Sequence, residues 1–300
     1  MNFKLIGIGE VLWDLLPSGR QLGGAPANFA YHASALGAEA RVVSRVGRDE
    51  AGRELIRRLE QLGVPTDCVE EDTAAPTGTV SVEIAADGQP QFTIHENVAW
   101  DRITGEDTGR RAVAGADAVC FGTLAQRSET SRRTIRALLK TMPAESLRIL
   151  DVNLRQHFYS REVIEESLAL ANVLKVNETE LPRLAGMFQL PGDERAQIAG
   201  LARRFNLRLV AYTRGGRGSL LHSEGRWSEH PGVPVKVVDT IGAGDSFTSA
   251  LALGLLAGWP LDEVNQRASE VAAYVCSQPG ATPELPEHLR APFRAQERVP

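Results

Sequence analysis

The segment Asp239-Thr240-Ile241-Gly242-Ala243-Gly244-Asp245 runs straight into a small-residue, apolar helical pattern. Successive backbone N–H groups at a helix N-terminus form an anion site, and Gly242, Ala243 and Gly244 leave room for a phosphoryl group to reach them. Asp245 would stand at the helix start, placed to take a proton from a hydroxyl attacking phosphorus. The plainer alternative is a tight glycine turn with Asp245 as the helix cap. A second Gly-rich turn, Gly23-Gly24-Ala25-Pro26-Ala27-Asn28, also precedes a helical pattern. It is either a turn and cap, or a place where Gly24 and Asn28 hydrogen-bond a polyol. Asp14, in Gly9-Glu10-Val11-Leu12-Trp13-Asp14, could accept hydrogen bonds from two sugar hydroxyls or be an ordinary surface acid. In Asn177-Glu178-Thr179-Glu180, Glu180 could hold water around a magnesium ion, or the acids could mark a helix start.

These residues need elements to hold them. Short β-branched runs at 5–9, 40–46, 118–122, 147–151, 173–177 and 209–213 read as buried strands. They alternate with helical patterns at 27–36, 50–62, 130–140, 161–170, 193–205, 246–257 and 261–276. Such alternation builds a mostly parallel sheet covered on both faces, with ligands beyond the carboxyl ends of the strands. Asp151, Asn153, Asn177 and Thr213 fall at such ends. The alternation breaks once, between 76 and 94, where two β-patterned runs flank Asp87-Gly88, a hairpin turn signal. This hairpin is an edge extension or a lid, and the βα units that follow it favour a lid.

Composition narrows the function. At 300 residues the chain matches two average domains or one large α/β domain, and the pattern favours one domain over 1–300 with a lid from about 11–22 and 76–98. A net charge of −5 argues against a nucleic-acid partner, which needs a basic surface. Of the 33 lysines and arginines only Lys4, Lys140, Lys175 and Lys236 are lysines, and none follows a glycine. The P-loop pattern is therefore absent, and phosphate chemistry must rest on other groups. Cys68, Cys120 and Cys276 are far apart with no C-x-x-C pair, as expected of reduced thiols in a cytoplasmic protein. The opening residues Met1-Asn2-Phe3-Lys4 lead to no cleavage site, so no signal peptide is expected. The best apolar stretch, 247–259, is too short to span a bilayer, so no membrane association is expected.

The motifs at 23–28 and 239–245, with Asn177-x-x-Glu180 between them, resemble the ribokinase-like (PfkB) family of carbohydrate kinases over nearly the whole chain. Thr213-Arg-Gly-Gly-Arg-Gly218 and the hairpin strengthen the resemblance. Gly-Gly-Ala-Pro-Ala-Asn and Asp151-Val-Asn153-Leu-Arg155 are most similar to the bacterial fructokinase branch. The resemblance implies a three-layer α/β/α fold with a mostly parallel central sheet and a small β lid, and an ATP- and Mg²⁺-dependent sugar kinase. It makes Asp245 the catalytic base and the backbone of Gly242, Ala243 and Gly244 the stabiliser of charge on the moving phosphoryl group. Asp14, Gly24 and Asn28 match sugar-binding positions. Glu180, with Asn177, resembles the pair that organises Mg²⁺ and the phosphates. Thr213, Gly216 and Gly218 fall where the family cradles ATP, and the stretch 276–281, with Cys276 and Gly280, resembles the loop beside the adenine. Arg155 could contact the substrate or the γ-phosphate, or pair with a local carboxylate. Asp239 matches a position that supports a monovalent cation such as K⁺ in some relatives, but Glu284 replaces their usual small hydroxyl residue. His95 and Trp100 receive no role. A homodimer joined through the lid is implied, as in several relatives.

The expected reaction is phosphorylation of a primary hydroxyl, first O6 of D-fructose. The rivals within the class are 2-keto-3-deoxygluconate kinase, for which Arg155 would serve a carboxylate, and ribokinase. A binding-only regulator on the same fold would be free to lose Asp245 and Glu180, which are both present. A dinucleotide-dependent oxidoreductase is excluded because the third glycine of the Gly7-x-Gly9 fingerprint would fall at Leu12.

Overall fold

The computed structural model of the chain describes residues 3–16, 19–84 and 90–294. In chain order the elements are β1 (Lys4–Ile8), β2 (Leu12–Leu16), β3 (Gly19–Gly23), α1 (Ala25–Ala35), β4 (Glu39–Gly47), α2 (Glu50–Gln61), β5 (Val69–Asp72), β6 (Gly78–Ile84) and β7 (Pro90–Ile94). There follow α3 (Asp107–Ala114), β8 (Ala118–Phe121), α4 (Glu129–Leu139), β9 (Leu147–Asp151), α5 (Arg161–Leu170), β10 (Val173–Asn177), α6 (Glu180–Phe188) and α7 (Glu194–Arg204). The chain continues with β11 (Leu209–Thr213), β12 (Ser219–Ser223), β13 (Arg226–His230), α8 (Ala243–Leu256), α9 (Leu261–Cys276) and α10 (Glu287–Arg294).

Nine strands form one sheet in the order β13-β12-β11-β10-β9-β8-β1-β4-β5. The pairs from β11 through to β5 are parallel, while β12 and β13 return antiparallel at one edge. Alternating side chains point to opposite faces of a strand, and both faces here are covered. Ile6, Ile8, Phe121, Leu150, Leu174 and Val176 pack with residues of α4 to α7. Leu5, Ala118, Ile149, Val173 and Leu209 pack on the other side with α1, α2, α8 and α9. The result is the α/β/α three-layer arrangement that the motifs imply. Several helices start where a side chain accepts from the first turn: Asp49 from Gly52 N (2.7 Å), Ser160 from Val163 N (3.2 Å) and Asp193 from Ala196 N (2.9 Å).

A second sheet has the order β3-β2-β6-β7. The expected hairpin is β6 with β7, antiparallel with Val80 opposite Ile94; its Asp87-Gly88 turn lies outside the described residues. The hairpin does not extend the large sheet but pairs through β6 with β2 in parallel. Beneath it Trp100 is fully buried, stacked on the Arg127 guanidinium at 3.9 Å, and Arg127 also pairs with Asp101 and donates to the His95 carbonyl. No helix among the described residues is long and apolar enough to cross a membrane.

Candidate active site

The carboxyl ends of β1, β9 and β10 and the N-termini of α1 and α8 meet under the small sheet around a cavity of about 640 Å³. Close packing of α1 makes this possible. Pro26 to Ala33 are all buried, and Gly7 is needed on β1 because a Cβ there would lie 2.1 Å from the Pro26 carbonyl oxygen. α8 crosses α1 through small residues, with Ser249 Oγ donating to the Phe29 carbonyl at 2.9 Å.

α8 begins at Ala243, three residues before the expected position 246. Gly242 is its N-cap, at φ 76°, a conformation that favours glycine. Asp245 is therefore in the first turn and not the cap. Its Oδ2 accepts from Asn28 Nδ2 at 2.8 Å across 217 residues of sequence. Desolvation, reinforced by the nearby Asp151 carboxylate, raises the Asp245 pKa to about 6, while the Asn28 bond, Lys175 and Arg155 hold it down.

The cavity brings together Asp14, Gly24, Asn28, Arg155, Asn177, Glu180, Gly242, Gly244 and Asp245. Ala243 sits between the two glycines as the first residue of α8. Asp14 lies on β2 opposite Gln21, and burial raises its pKa to about 6 against the pull of Arg155. Gly23 makes room for it, since a Cβ there would come within 2.4 Å of Asp14 Oδ2. Among the described residues no carboxylate is within salt-bridge distance of Arg155, so local pairing does not account for it. Glu180 is buried at 3% exposure. Its Oε1 accepts from Leu154 N and its Oε2 from Asn177 N, both at 2.9 Å. Asn177, two residues before the α6 N-cap Thr179, folds its side chain over the helix start, its Oδ1 accepting from Thr179 N and Glu180 N.

The other sequence candidates do not line this cavity. Thr213 ends β11 opposite Ser219. Gly216 is in the middle of a single exposed 3₁₀ turn. Gly218, at φ 81°, packs so closely that a Cβ would lie 1.9 Å from the His230 carbonyl oxygen. Cys276 ends α9, and its carbonyl accepts from Val238 N (2.8 Å) and Asp239 N (3.2 Å). Asp239 ties two loops together, accepting from Ile241 N and Gly280 N at 3.0 Å each. Beside them Val235, Val237, Val238 and Ile241 expose an apolar edge.

The sequence profile of the pfkB family carbohydrate kinases matches residues 19–288. The chain belongs to this family. It is 34% identical to a fructokinase of Klebsiella pneumoniae over 91% of each chain. The crystal structure of an uncharacterized sugar kinase from Pyrococcus horikoshii in complex with ATP superposes with a TM-score of 0.79 at 30% identity, covering 93% of this chain and 94% of that one. The fold is shared also with 2-dehydro-3-deoxygluconokinase of Thermotoga maritima, with a TM-score of 0.81 at 20% identity, over 98% of this chain and 100% of that one.

Two cavity residues of this pfkB-family kinase escaped the sequence reading. Glu10 is 3% exposed, its Oε2 has no hydrogen-bond partner among the described residues, and burial raises its pKa to about 7. Lys175 projects from β10 into an ion pair with Asp151. Its signal was present in the sequence, as the one charge inside the otherwise apolar run Val173-Leu174-Lys175-Val176; buried lysines are rare unless paired.

Proposed function

We propose that this carbohydrate kinase transfers the γ-phosphoryl group of ATP to the primary O6 hydroxyl of D-fructose. The observation that carries the reading is the placement of Asp245. A partly desolvated carboxylate, held by Asn28, lies within the first turn of a helix whose N-terminal amides open on the same cavity as Asp14 and Glu10. A sugar bound at the acceptor-rich end, by Asp14, Asn28 and the Gly24 backbone, presents its hydroxyl to Asp245. As the hydroxyl oxygen attacks the γ-phosphorus, its proton passes to the Asp245 carboxylate, the bond to the β,γ-bridging oxygen breaks, and ADP leaves. The Gly242 to Gly244 amides stabilise charge on the moving group. The small sheet acts as the lid, keeping water from competing for the phosphoryl group.

The nucleotide would extend from this point across Thr213, Gly216 and Gly218, with its base beside the apolar edge and the loop of Cys276 and Gly280. The donor set fits Mg²⁺. Carboxyls at Glu10, Asp14, Glu180 and Asp245 outnumber the cations Lys175 and Arg155 in the cavity, so a triphosphate needs a divalent counter-ion. Among the described residues no cluster of three or more His, Cys, Asp or Glu could cage a metal, which suits an ion held by water and phosphate oxygens with one carboxylate, here Glu180. When bound, that ion neutralises charge on the phosphates. Asp239, connected by resemblance with a monovalent cation, has both oxygens engaged by backbone amides, and the proposal gives potassium no step. Two copies would join through the lid, because a small sheet gains stability by covering an apolar face.

Fructose is favoured over other sugars by the similarity to the Klebsiella enzyme. Arg155, exposed at the cavity and free of a carboxylate partner among the described residues, favours a second reading in which a sugar acid such as 2-keto-3-deoxygluconate is the substrate. A coupled assay of ADP release across D-fructose, D-ribose and 2-keto-3-deoxygluconate decides. Fructose should give the highest kcat/KM; a clear preference for the sugar acid or ribose, or no ADP release with fructose, would sink the fructose assignment.

A further inference from the structure

We propose that Lys175, anchored by Asp151, supplies a fixed positive charge to the phosphoryl-transfer site, taking the part a P-loop lysine plays elsewhere. The proposal rests on the kinase reading and adds a residue to it.

The placement follows from strand geometry. Lys175 alternates with Leu174 and Val176, which face α4 to α7, so its own side chain falls on the α8 side of the sheet. Asp151 alternates with Leu150 in the same way, and the two residues are direct partners in the β9–β10 register. Lys175 Nζ stands 3.2 Å from Asp151 Oδ1 and 3.1 Å from Oδ2. Thr248 Oγ1 of α8 shares its one proton between the Gly244 carbonyl at 2.9 Å and Asp151 Oδ2 at 3.3 Å, which sets the carboxylate against the first turn of α8. Lys175 and Asp151 are 6% and 3% exposed.

A buried ion pair is a poor way to gain stability, since an apolar pair of similar size often does as well or better. This pair is also polarised in a way that stability does not require. Lys175 lines the cavity, and Asp151 does not. An ammonium has three N–H donors, and Asp151 is its only hydrogen-bonding partner among the described residues. One carboxylate can take two at most, so a donor is left on the cavity side. Nζ also presses against the first turn of α8: a Cβ on Gly244 would lie 2.8 Å from it. Gly244 thus does two things, exposing its amide to an anion and admitting the ammonium beneath the same turn. The helix N-terminus and the lysine charge therefore converge on one point, beside the carboxylate of Asp245.

The test uses purified full-length protein. Lys175→Met alone would strand the Asp151 charge, so the informative variant is Lys175→Met with Asp151→Asn, compared with Asp151→Asn and wild type. The double variant should lose about 100-fold or more in kcat, the scale of one transition-state donor, with sugar KM nearly unchanged and an unfolding midpoint near that of wild type. A folded double variant with turnover close to wild type would overturn the proposal. A second measurement needs no substitution. Lys4, Lys140 and Lys236 are exposed and Lys175 is buried, so lysine labelled with ¹³C and ¹⁵N gives one resolved signal for the site. That signal should move little with sugar alone and strongly with Mg²⁺, ADP and aluminium fluoride, which mimic the moving phosphoryl group. A Lys175 signal indifferent to ADP–aluminium fluoride would overturn the proposal even if the variant failed to fold. Wild-type protein that releases no ADP with any sugar would instead overturn the kinase reading.

Discussion

Asp245→Asn should make the protein more stable and nearly inactive. Folding raises this carboxyl from 3.8 to about 6. Two pK units correspond to about 3 kcal/mol held against the charged form, and because Asp245 is partly open to the cavity, screening trims this to about 1–3 kcal/mol. The folded state binds the proton more tightly than the unfolded chain, so the penalty is fully present above about pH 6 and disappears as pH falls through about 4. Asparagine escapes it and can still accept from Asn28 with its amide oxygen. Urea unfolding should therefore show the variant ahead by about 1–3 kcal/mol at pH 7–8 and level near pH 4. Turnover should fall by about 10²–10⁴, with sugar and ATP still bound. In the wild type the ionised fraction of a base with this pKa drops from about 90% at pH 7 to about 10% at pH 5, so kcat/KM should fall roughly tenfold. The groups facing Asp245 are Asn28, Asp151, Lys175, Arg155 and Glu10, and Glu10 and Asp14 titrate nearby at about 7 and about 6. Asp14 stays in the variant and titrates in the same range, so the size of the turnover loss, and not the position of the limb, makes the assignment. A variant that keeps more than a few per cent of wild-type turnover would refute Asp245 as the base.

Asn28→Ala removes the donor to Asp245 Oδ2; sugar KM should rise by about tenfold or more. The acid limb should also move to higher pH, because that bond holds the carboxyl down, and initial rates between pH 5 and 8 check both. Gly218→Ala places a Cβ on the His230 carbonyl at a positive φ, so stability should drop by about 2 kcal/mol or more. ATP KM should rise while sugar KM stays put, as read by urea unfolding and by steady-state kinetics.

The expected strands were legible because each is a short apolar run whose neighbours are helical, and buried parallel strands carry that pattern locally. β5 escaped because it reads Val69-Glu70-Glu71-Asp72, yet Glu70 and Asp72 are buried through Arg45, at 3.2 Å and 3.0 Å. β13 carries the polar side chains of a sheet edge, and β12 beside it is buried but holds only two apolar residues between Ser219 and His222. α6 was legible only as the alternative reading of the acids at 177–180, and that helix start does form at Glu180, whose side chain also enters the cavity. α10 was hidden by Pro292 inside it. Asp245 and Asn28 were legible as candidates because glycines beside a helical pattern are a local signal.

What the sequence alone determined is therefore the set of local choices: where strands and helices form, where glycine permits a turn, and the absence of a lysine after a glycine. Strand order lay beyond it. Only the sheet sets β9 beside β10, so that Asp151 and Lys175 become direct partners, and only the crossing of α1 and α8 brings Asn28 to Asp245. Backbone propensity and side-chain alternation act over a few residues, whereas a charge is placed in a site by whichever strand the packing of the core puts next to it. The lysine that no loop motif offered arrives in this way, from the middle of a buried strand.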